Sequence, residues 1–356
     1  MPRPEVYGWD IGGAHVKACR LHQGEVVDAV QWACPLWRGE QHLAQVLRAA
    51  HARWPRLRTA LHAATMTGEM VDLFAHRQEG VERIAAQLTE GLDVERAPRF
   101  YGGEAGWYAP ERVAADWEAV ASANWLATAT HTAATLATDS GVLVDIGSTT
   151  TDLIAFAAGH VRQAGRTDAQ RLATGELVYQ GVVRTPLCAL GPRIDWRGQC
   201  INVMNEFFAT TADVYRLTGE LPPAHDQQPT ADGAAKDAAA TRQRLARMVG
   251  HDARDAQSGE WLECARAWRR LQLAELRGQL ERVLAAQPLD RGARVVGAGC
   301  GDFLLPDLVA PLALAGSGSY ATQVARLASD DADLAGWVQV CAPAVAVASL
   351  FDLEHF

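Results

Sequence analysis

Lysine is nearly missing from this chain. Of 33 lysines and arginines, only Lys17 and Lys236 are lysine, so positive charge is otherwise written as arginine. No apolar run approaches the ~20 residues of a membrane helix. The opening MPRPEVYGWD has no signal-peptide core, which predicts a soluble cytoplasmic protein. Cysteine is present seven times, an odd number with no CxxC pair. That predicts free, buried thiols in a reducing cytoplasm. Basic surplus is absent as well, since the net charge is −9. The eleven tryptophans are scattered and form no stacking array with basic residues, so a nucleic-acid partner is not expected.

What is there fills two domains. A chain of 356 residues, 49% hydrophobic and 21% charged, has an ordinary globular composition and ample core. One of the two lysines stands in YGWDIGGAHVKA (7–18), beside a glycine pair and an aspartate. The motif has an echo in VLVDIGSTTTDLIAF (142–156), with Asp145-Ile-Gly147 in the frame of Asp10-Ile-Gly12. Strand, glycine turn, strand is a hairpin signal, and two copies a domain length apart predict a duplicated lobe. A third apolar strand, ARVVGAGCGDFLLPDLV (293–309), ends in Gly297, Gly299 and Gly301 and runs into a helix-like pattern. The expected division is an N-terminal lobe over 1–138 and a C-terminal lobe over 139–356, with a helical insertion at about 200–288. Helices are expected over 117–137, 202–221, 259–288 and 337–353, with an exposed loop at 221–241.

The hairpins carry the chemistry. A glycine turn lets backbone N–H groups approach an anion with no Cβ in the way. Gly12, Gly13 and Gly147 supply such turns, and Ser148, Thr149 and Thr150 add hydroxyl donors. Asp10 and Asp145, each just before a turn, are placed to hold a hydrated Mg²⁺, and Lys17 is a point charge for a phosphate oxygen. A tight structural hairpin is the alternative for either copy alone. For the glycines at 297–301 the alternative is a dinucleotide site, which normally opens its domain instead of closing it. Thr65, Thr67 and Glu69 in TMTGE sit either at a strand end facing a cleft or in a helix N-cap box. Arg184 is either a phosphate or carboxylate clamp or a surface arginine. Asn205, Glu206 and Asp213 line a pocket or a solvated helix face. Phe207, Phe208 and Tyr215 fit core packing better than a phenol site, and the 259–288 helix is read as packing alone.

As a set, DIGGAHVKA, DIGSTTTDL and VVGAGCGDF resemble the actin-like ATPase superfamily of sugar kinases, heat-shock ATPases and hydantoinase-type enzymes. The resemblance implies two phosphate hairpins and a late glycine turn, so that Gly299 and Gly301 join the phosphate-binding set. His15 and Lys17 replace the Thr or Ser common in the ATP-using relatives, and this departure places His15 in the diphosphate set. The stretches TALHAATMTGEMVDLFAHRQEGVERI (59–84), LVYQGVVRTPLCAL (177–190), NEFFATTADVYRLTGEL (205–221) and RLARMVGHD (244–252) are similar to hydantoinase-related proteins of tetrahydromethanopterin-linked C1 metabolism in methylotrophs. Those are similar in turn to the methanofuran-biosynthesis condensing enzyme. The resemblance implies a two-lobed α/β fold of the actin-like, ribonuclease H-like kind. It also implies an aryl-ether-forming transferase that joins a furanylmethyl diphosphate to a phenolic amine and releases pyrophosphate. In it Asp10, Lys17 and Asp145 are catalytic, Mg²⁺ or another divalent cation is the cofactor, and ATP is not required. Thr67, Glu69, Arg184, Asn205 and Glu206 line the substrate pocket, and a homo-oligomer stays open. The alternatives are an ATP-dependent kinase, a hydantoinase-like amidohydrolase, or a non-catalytic nucleotide-binding partner.

Overall fold

In the computed structural model the described residues are 3–290, 292–312, 314 and 317–356. The chain divides into two compact units. Unit 1 comprises 1–140, 156–162 and 318–356, and unit 2 comprises 141–155 and 163–317. The single break expected after 138 is therefore not the observed division, because the last segment of the chain returns to unit 1.

Unit 1 is built on a six-stranded sheet. Its strands are β1 (Val6–Ile11), β2 (His15–His22), β3 (Glu25–Ala33), β4 (Leu61–Met66), β5 (Arg99–Tyr101) and β6 (Trp107–Tyr108), in the order β3-β2-β1-β4-β5-β6. β1 pairs antiparallel with β2 and parallel with β4. β1 is buried along its whole length, as a central strand covered on both faces should be. One covering element is the helix Ala342–His355, which packs on β1, β2 and β4. A Cβ at Gly8 would collide with the Ala344 carbonyl, so glycine there lets helix and strand meet. Tyr7, Trp9 and His62 of this sheet form an aromatic cluster with Trp54, which ends the helix Gln41–Arg53.

Unit 2 repeats the plan. Leu177–Val178, β8 (Thr151–Ala157), β7 (Ser140–Ile146) and Arg294–Ala298 lie side by side in that order, with Arg294–Ala298 parallel to β7. Thus each hairpin has a parallel strand beside its first member: Thr65 opposite Asp10, and Ala298 opposite Asp145. Just past these strands, Thr67 N donates to Ile11 O (3.0 Å) and Gly301 N to Ile146 O (2.8 Å). The duplication expected from the two DIG motifs extends to the strand that flanks each of them.

The helical region differs in detail from its expectation. Helix formation within 202–221 is confined to Thr211–Thr218, started by the Thr210/Asp213 capping box and ended at left-handed Gly219. Asn202 ends the strand Gln199–Asn202, and the chain from 203 to 209 is irregular. The long helix is Ser258–Ala286, close to expectation and likewise begun by a capping box. The alanine-rich helix is interrupted at Ser122 (φ 49°), leaving Trp117–Val120 and Asn124–Thr135. The closing helix is broken at Cys341 into Ala332–Val340 and Ala342–His355. Residues 221–237 form the irregular, largely exposed loop expected, with a helix beginning at Ala238, but part of the loop turns inward. Leu221, Asp226, Gln228 and Thr230 are buried, and Lys236 binds Asp226. The cause is ionic: Asp226 takes Arg216, Asp213 takes Arg216 and Arg244, and Asp232 takes Arg244. All seven cysteines are free, but Cys200 is exposed and Cys188 half-buried, whereas all were expected inside. Among the described residues no single helix is long and apolar enough to cross a membrane.

Candidate active site

In unit 1 the site grows out of strand register. Residues opposite one another on paired strands share a face. Gln31 is opposite Lys17, Lys17 opposite Asp10, and Asp10 opposite Thr65, so four polar side chains cross four strands in one row. Asp10, Gln31 and Thr65 are buried, and Lys17 Nζ lies 3.9 Å from Asp10 Oδ2. Thr65 Oγ1 has no hydrogen-bond partner among the described residues. His15, two residues before Lys17, is on the same face and also buried. Burying polar groups in a sheet centre costs free energy unless each is satisfied, so such a row reads as a site. Cys341, at the start of the last helix, senses both charges; burial pushes its thiol up to about 12. Neither Gln31 nor Cys341 was found by sequence motif. Gln31's signal was a polar residue on the inward side of an alternating strand.

The turn itself is tight. Gly12 N donates to His15 O at 2.9 Å, and a Cβ at Gly13 would come 2.7 Å from Val71 Cγ1. Gly12 and Gly13 are half-buried, and Thr67 Oγ1 lies 3.6 Å from where a Gly12 Cβ would stand. Glu69 shares the short 3₁₀ turn Gly68–Met70, but its side chain is fully buried. Its Oε1 accepts from Arg77 Nη2 (2.9 Å) and Ser122 Oγ (2.8 Å), while Oε2 has no partner among the described residues. Burial raises the Glu69 carboxyl above its ordinary value, and Arg77 opposes the shift. No side-chain cap forms at Thr67, so the N-cap-box alternative is not what the turn contains.

In unit 2, Gly147 N donates to Thr150 O at 2.8 Å, closing the second turn. Gly147, Ser148, Thr149 and Thr150 are half-buried, with Ser148 Oγ 3.4 Å from Thr149 Oγ1. Asp145 is buried beneath them. Gly299 has φ +85°, and a Cβ on it would come 2.5 Å from Asp145 Oδ1 and closer still to Ile146 O. Gly301 packs equally tightly on Ile146 and Val182. Both glycines are buried, so their place in the fold is close packing under the second turn. Arg184 reaches the turn through its backbone, its N donating to Ser148 O at 2.9 Å. Burial lowers the guanidinium's affinity for its proton, and neighbouring Tyr179, itself exposed, acts in the opposite direction.

The remaining candidates separate. Asn205, Glu206 and Phe207 are exposed, on irregular chain ahead of the helix Thr211–Thr218. Asp213 and Tyr215 are fully buried; Asp213 lies neither in an open pocket nor on a solvated face. Among the described residues no group of three or more His, Cys, Asp or Glu side chains forms a metal cage. Mg²⁺ seldom uses one. It is commonly held by one or two carboxylates together with substrate phosphates, and Asp10 and Asp145 are hard oxygen donors of that kind.

The family description of hydantoinase/oxoprolinase matches residues 60–316, most of the chain. The chain belongs to the hydantoinase/oxoprolinase family. It is 29% identical, over 85% of its length and 88% of the relative's, to the (4-{4-[2-(gamma-L-glutamylamino)ethyl]phenoxymethyl}furan-2-yl)methanamine synthase of Methanocaldococcus jannaschii. The synthase of the same name from Methanococcus vannielii is 28% identical over 48% of this chain and 75% of the relative. Among solved structures, a nucleotide-free acetone carboxylase aligns with a TM-score of 0.53 at 10% identity, covering 98% of this chain and 70% of that one. That likeness concerns the fold alone. The two-sheet, duplicated α/β architecture of the hydantoinase/oxoprolinase protein is that of the actin-like ATPases.

Proposed function

We propose that this protein is a transferase of methanofuran-type cofactor synthesis, joining an aminomethyl-furanylmethyl diphosphate to the phenol oxygen of a tyramine- or tyrosine-type acceptor. The observation that carries the reading is the similarity, along 85% of the chain, to a synthase whose named product contains that phenoxymethyl-furan ether. In the reaction the phenol oxygen bonds to the furanylmethyl carbon, the bond from that carbon to diphosphate breaks, the phenol gives up its proton, and pyrophosphate leaves. The furan oxygen stabilises positive charge at the adjacent methylene, so the difficult part is neutralising the departing anion.

The chain's own residues fit that task. Lys17, paired with Asp10 on the polar row, supplies a fixed positive charge next to the first glycine turn. The second turn offers the backbone and hydroxyls of Gly147–Thr150. His15 stands on the same strand face as Lys17, in a position where ATP users commonly carry a hydroxyl. Arg184, fixed to Ser148 through its backbone, is assigned to a carboxylate or phosphate of substrate. Asp10 at the first turn and Asp145 at the second are each a carboxylate of the kind that would hold Mg²⁺, whose chemistry is to neutralise diphosphate charge. ATP is not a reactant in this scheme.

The test incubates purified protein with Mg²⁺, a furanylmethyl diphosphate and a phenolic amine, and follows aryl ether by mass spectrometry alongside pyrophosphate and ADP. Ether and pyrophosphate appearing together, only with both substrates and without ATP, is the expected result. ADP formed in step with product would replace the transferase by a kinase-type reaction.

A further inference from the structure

The second glycine turn is held by a neighbouring segment more than by its own side chains. Val182 N donates to Gly147 O (3.0 Å), and Val183 N and Arg184 N both donate to Ser148 O (3.1 and 2.9 Å). Gly181 packs so closely on the turn that a Cβ would come 2.5 Å from Gly147 O and closer to the backbone of Ser148 and Thr149. Gly181 is itself fixed from the helical side. Its N–H donates to Thr185 Oγ1 (2.8 Å). Its carbonyl accepts from Thr185 Oγ1 (3.1 Å), Thr211 Oγ1 (2.8 Å) and Gln272 Nε2 (3.1 Å).

Gln272 is the unexpected member. It is fully buried on the helix Ser258–Ala286, whose other buried residues include Trp268, Leu273, Leu276 and Leu280. A leucine there would fill comparable volume without an amide to desolvate. The amide is instead satisfied at both ends. The Gly181 carbonyl can only accept, so it takes the NH₂ group, and Gln272 Oε1 accepts from Tyr215 OH at 2.5 Å.

We infer that Gln272, oriented by Tyr215, is a positioning residue that sets the second anion-binding turn through Gly181. The inference rests on the reading of Gly147–Thr150 as a diphosphate site. The helix carrying Gln272 then does more than pack: it fixes the segment from which Val182, Val183 and Arg184 hold the turn.

The test compares the full-length wild type with Gln272→Leu and with Gln272→Leu/Tyr215→Phe. The single change orphans a buried hydroxyl and lowers the melting temperature. The double change removes both partners and brings the melting temperature back toward wild type. Binding separates positioning from packing. By calorimetry with inorganic pyrophosphate and Mg²⁺, the double variant binds about tenfold more weakly although folded. Its Val182–Arg184 amides exchange hydrogen faster without ligand. Gln272→Met, which fills similar volume and has no donor for Gly181, shows the same weaker binding and faster exchange, and serves if the double variant does not fold. Wild-type affinity and unchanged exchange in the folded variants would overturn the inference. A wild-type chain that binds no pyrophosphate would remove the diphosphate reading instead, and the exchange arm would still decide whether Gln272 sets the segment.

Discussion

Lys17 and Asp10 face each other across the first hairpin, paired in register, with Nζ 3.9 Å from Oδ2. In a chain with two lysines, this one is fixed at the sheet centre, its side chain only 17% exposed. The other, Lys236, is tied to Asp226 in the helical region. In the proposed reaction a lysine held so close to a buried carboxylate and a glycine turn acts electrostatically. Lys17→Met should therefore lower kcat by about 10²- to 10³-fold, the range for removing one donor aimed at developing charge. Pyrophosphate release and a thermal melt measured on the same preparation check it. Near-normal turnover would reduce Lys17 to a partner for Asp10.

Asp10 and Asp145 occupy equivalent places, each opposite a parallel strand that runs on into a glycine turn. Asp10→Asn and Asp145→Asn should each raise the Mg²⁺ concentration needed for half-maximal rate, or abolish the rate. Titrating Mg²⁺ against pyrophosphate release in both variants decides it. A wild type indifferent to chelator would take the metal out of the reaction.

Glu69 calls for a different outcome. Its carboxylate is fully buried and bonded to Arg77 and Ser122. Removing Glu69 empties a fully buried site and takes one partner each from Arg77 and Ser122, but Arg77 keeps Ser122 (2.6 Å) and is 28% exposed, so the cost falls below the ~3–5 kcal/mol of a fully buried broken pair. Glu69→Ala should lower the melting temperature markedly, and activity should fall with it because the Gly68–Met70 turn packs on the first hairpin. Calorimetric unfolding compared with kcat and KM checks this. A variant of wild-type stability with KM alone raised would instead put Glu69 on the substrate.

Much of the architecture was legible because it is local. The DIG hairpins and the glycines at 297–301 announce themselves through turn chemistry, and the 258–286 helix through its periodicity. What could not be read is set by partners distant in sequence. The loop 221–241 has a polar, proline- and alanine-rich composition that reads as solvent-exposed, yet Asp226 is buried because Arg216 and Lys236 neutralise it. Glu69 looked like a cap or a pocket residue, and only the fold brings Ser122, 53 residues away, to its carboxylate. Gln31 and Gln272 carry no motif. Their roles follow from strand register and from one carbonyl.

The last prediction concerns acid. His62 accepts the Trp9 indole N–H on Nδ1 (3.1 Å), and since an indole nitrogen can only donate, the imidazole carries its proton on Nε2, toward Leu57 O (2.9 Å). Adding a second proton would set two N–H groups against each other. Burial accordingly lowers His62 from 6.5 to about 4, and it lowers buried His131, whose Nδ1 lies 2.6 Å from Tyr320 OH, to about 4 as well. Between these values the unfolded chain binds protons that the folded chain refuses, so stability rises with pH through that window and is lost on acidification. Two such groups give a slope of up to about 2.7 kcal/mol per pH unit near pH 5, before most carboxylates titrate. Denaturant unfolding at half-unit steps from pH 7.5 to 4.5 measures it. A free energy level between pH 6.5 and 5 would mean that both rings accept a proton in the folded state, and that the Trp9–His62 bond does not fix the tautomer.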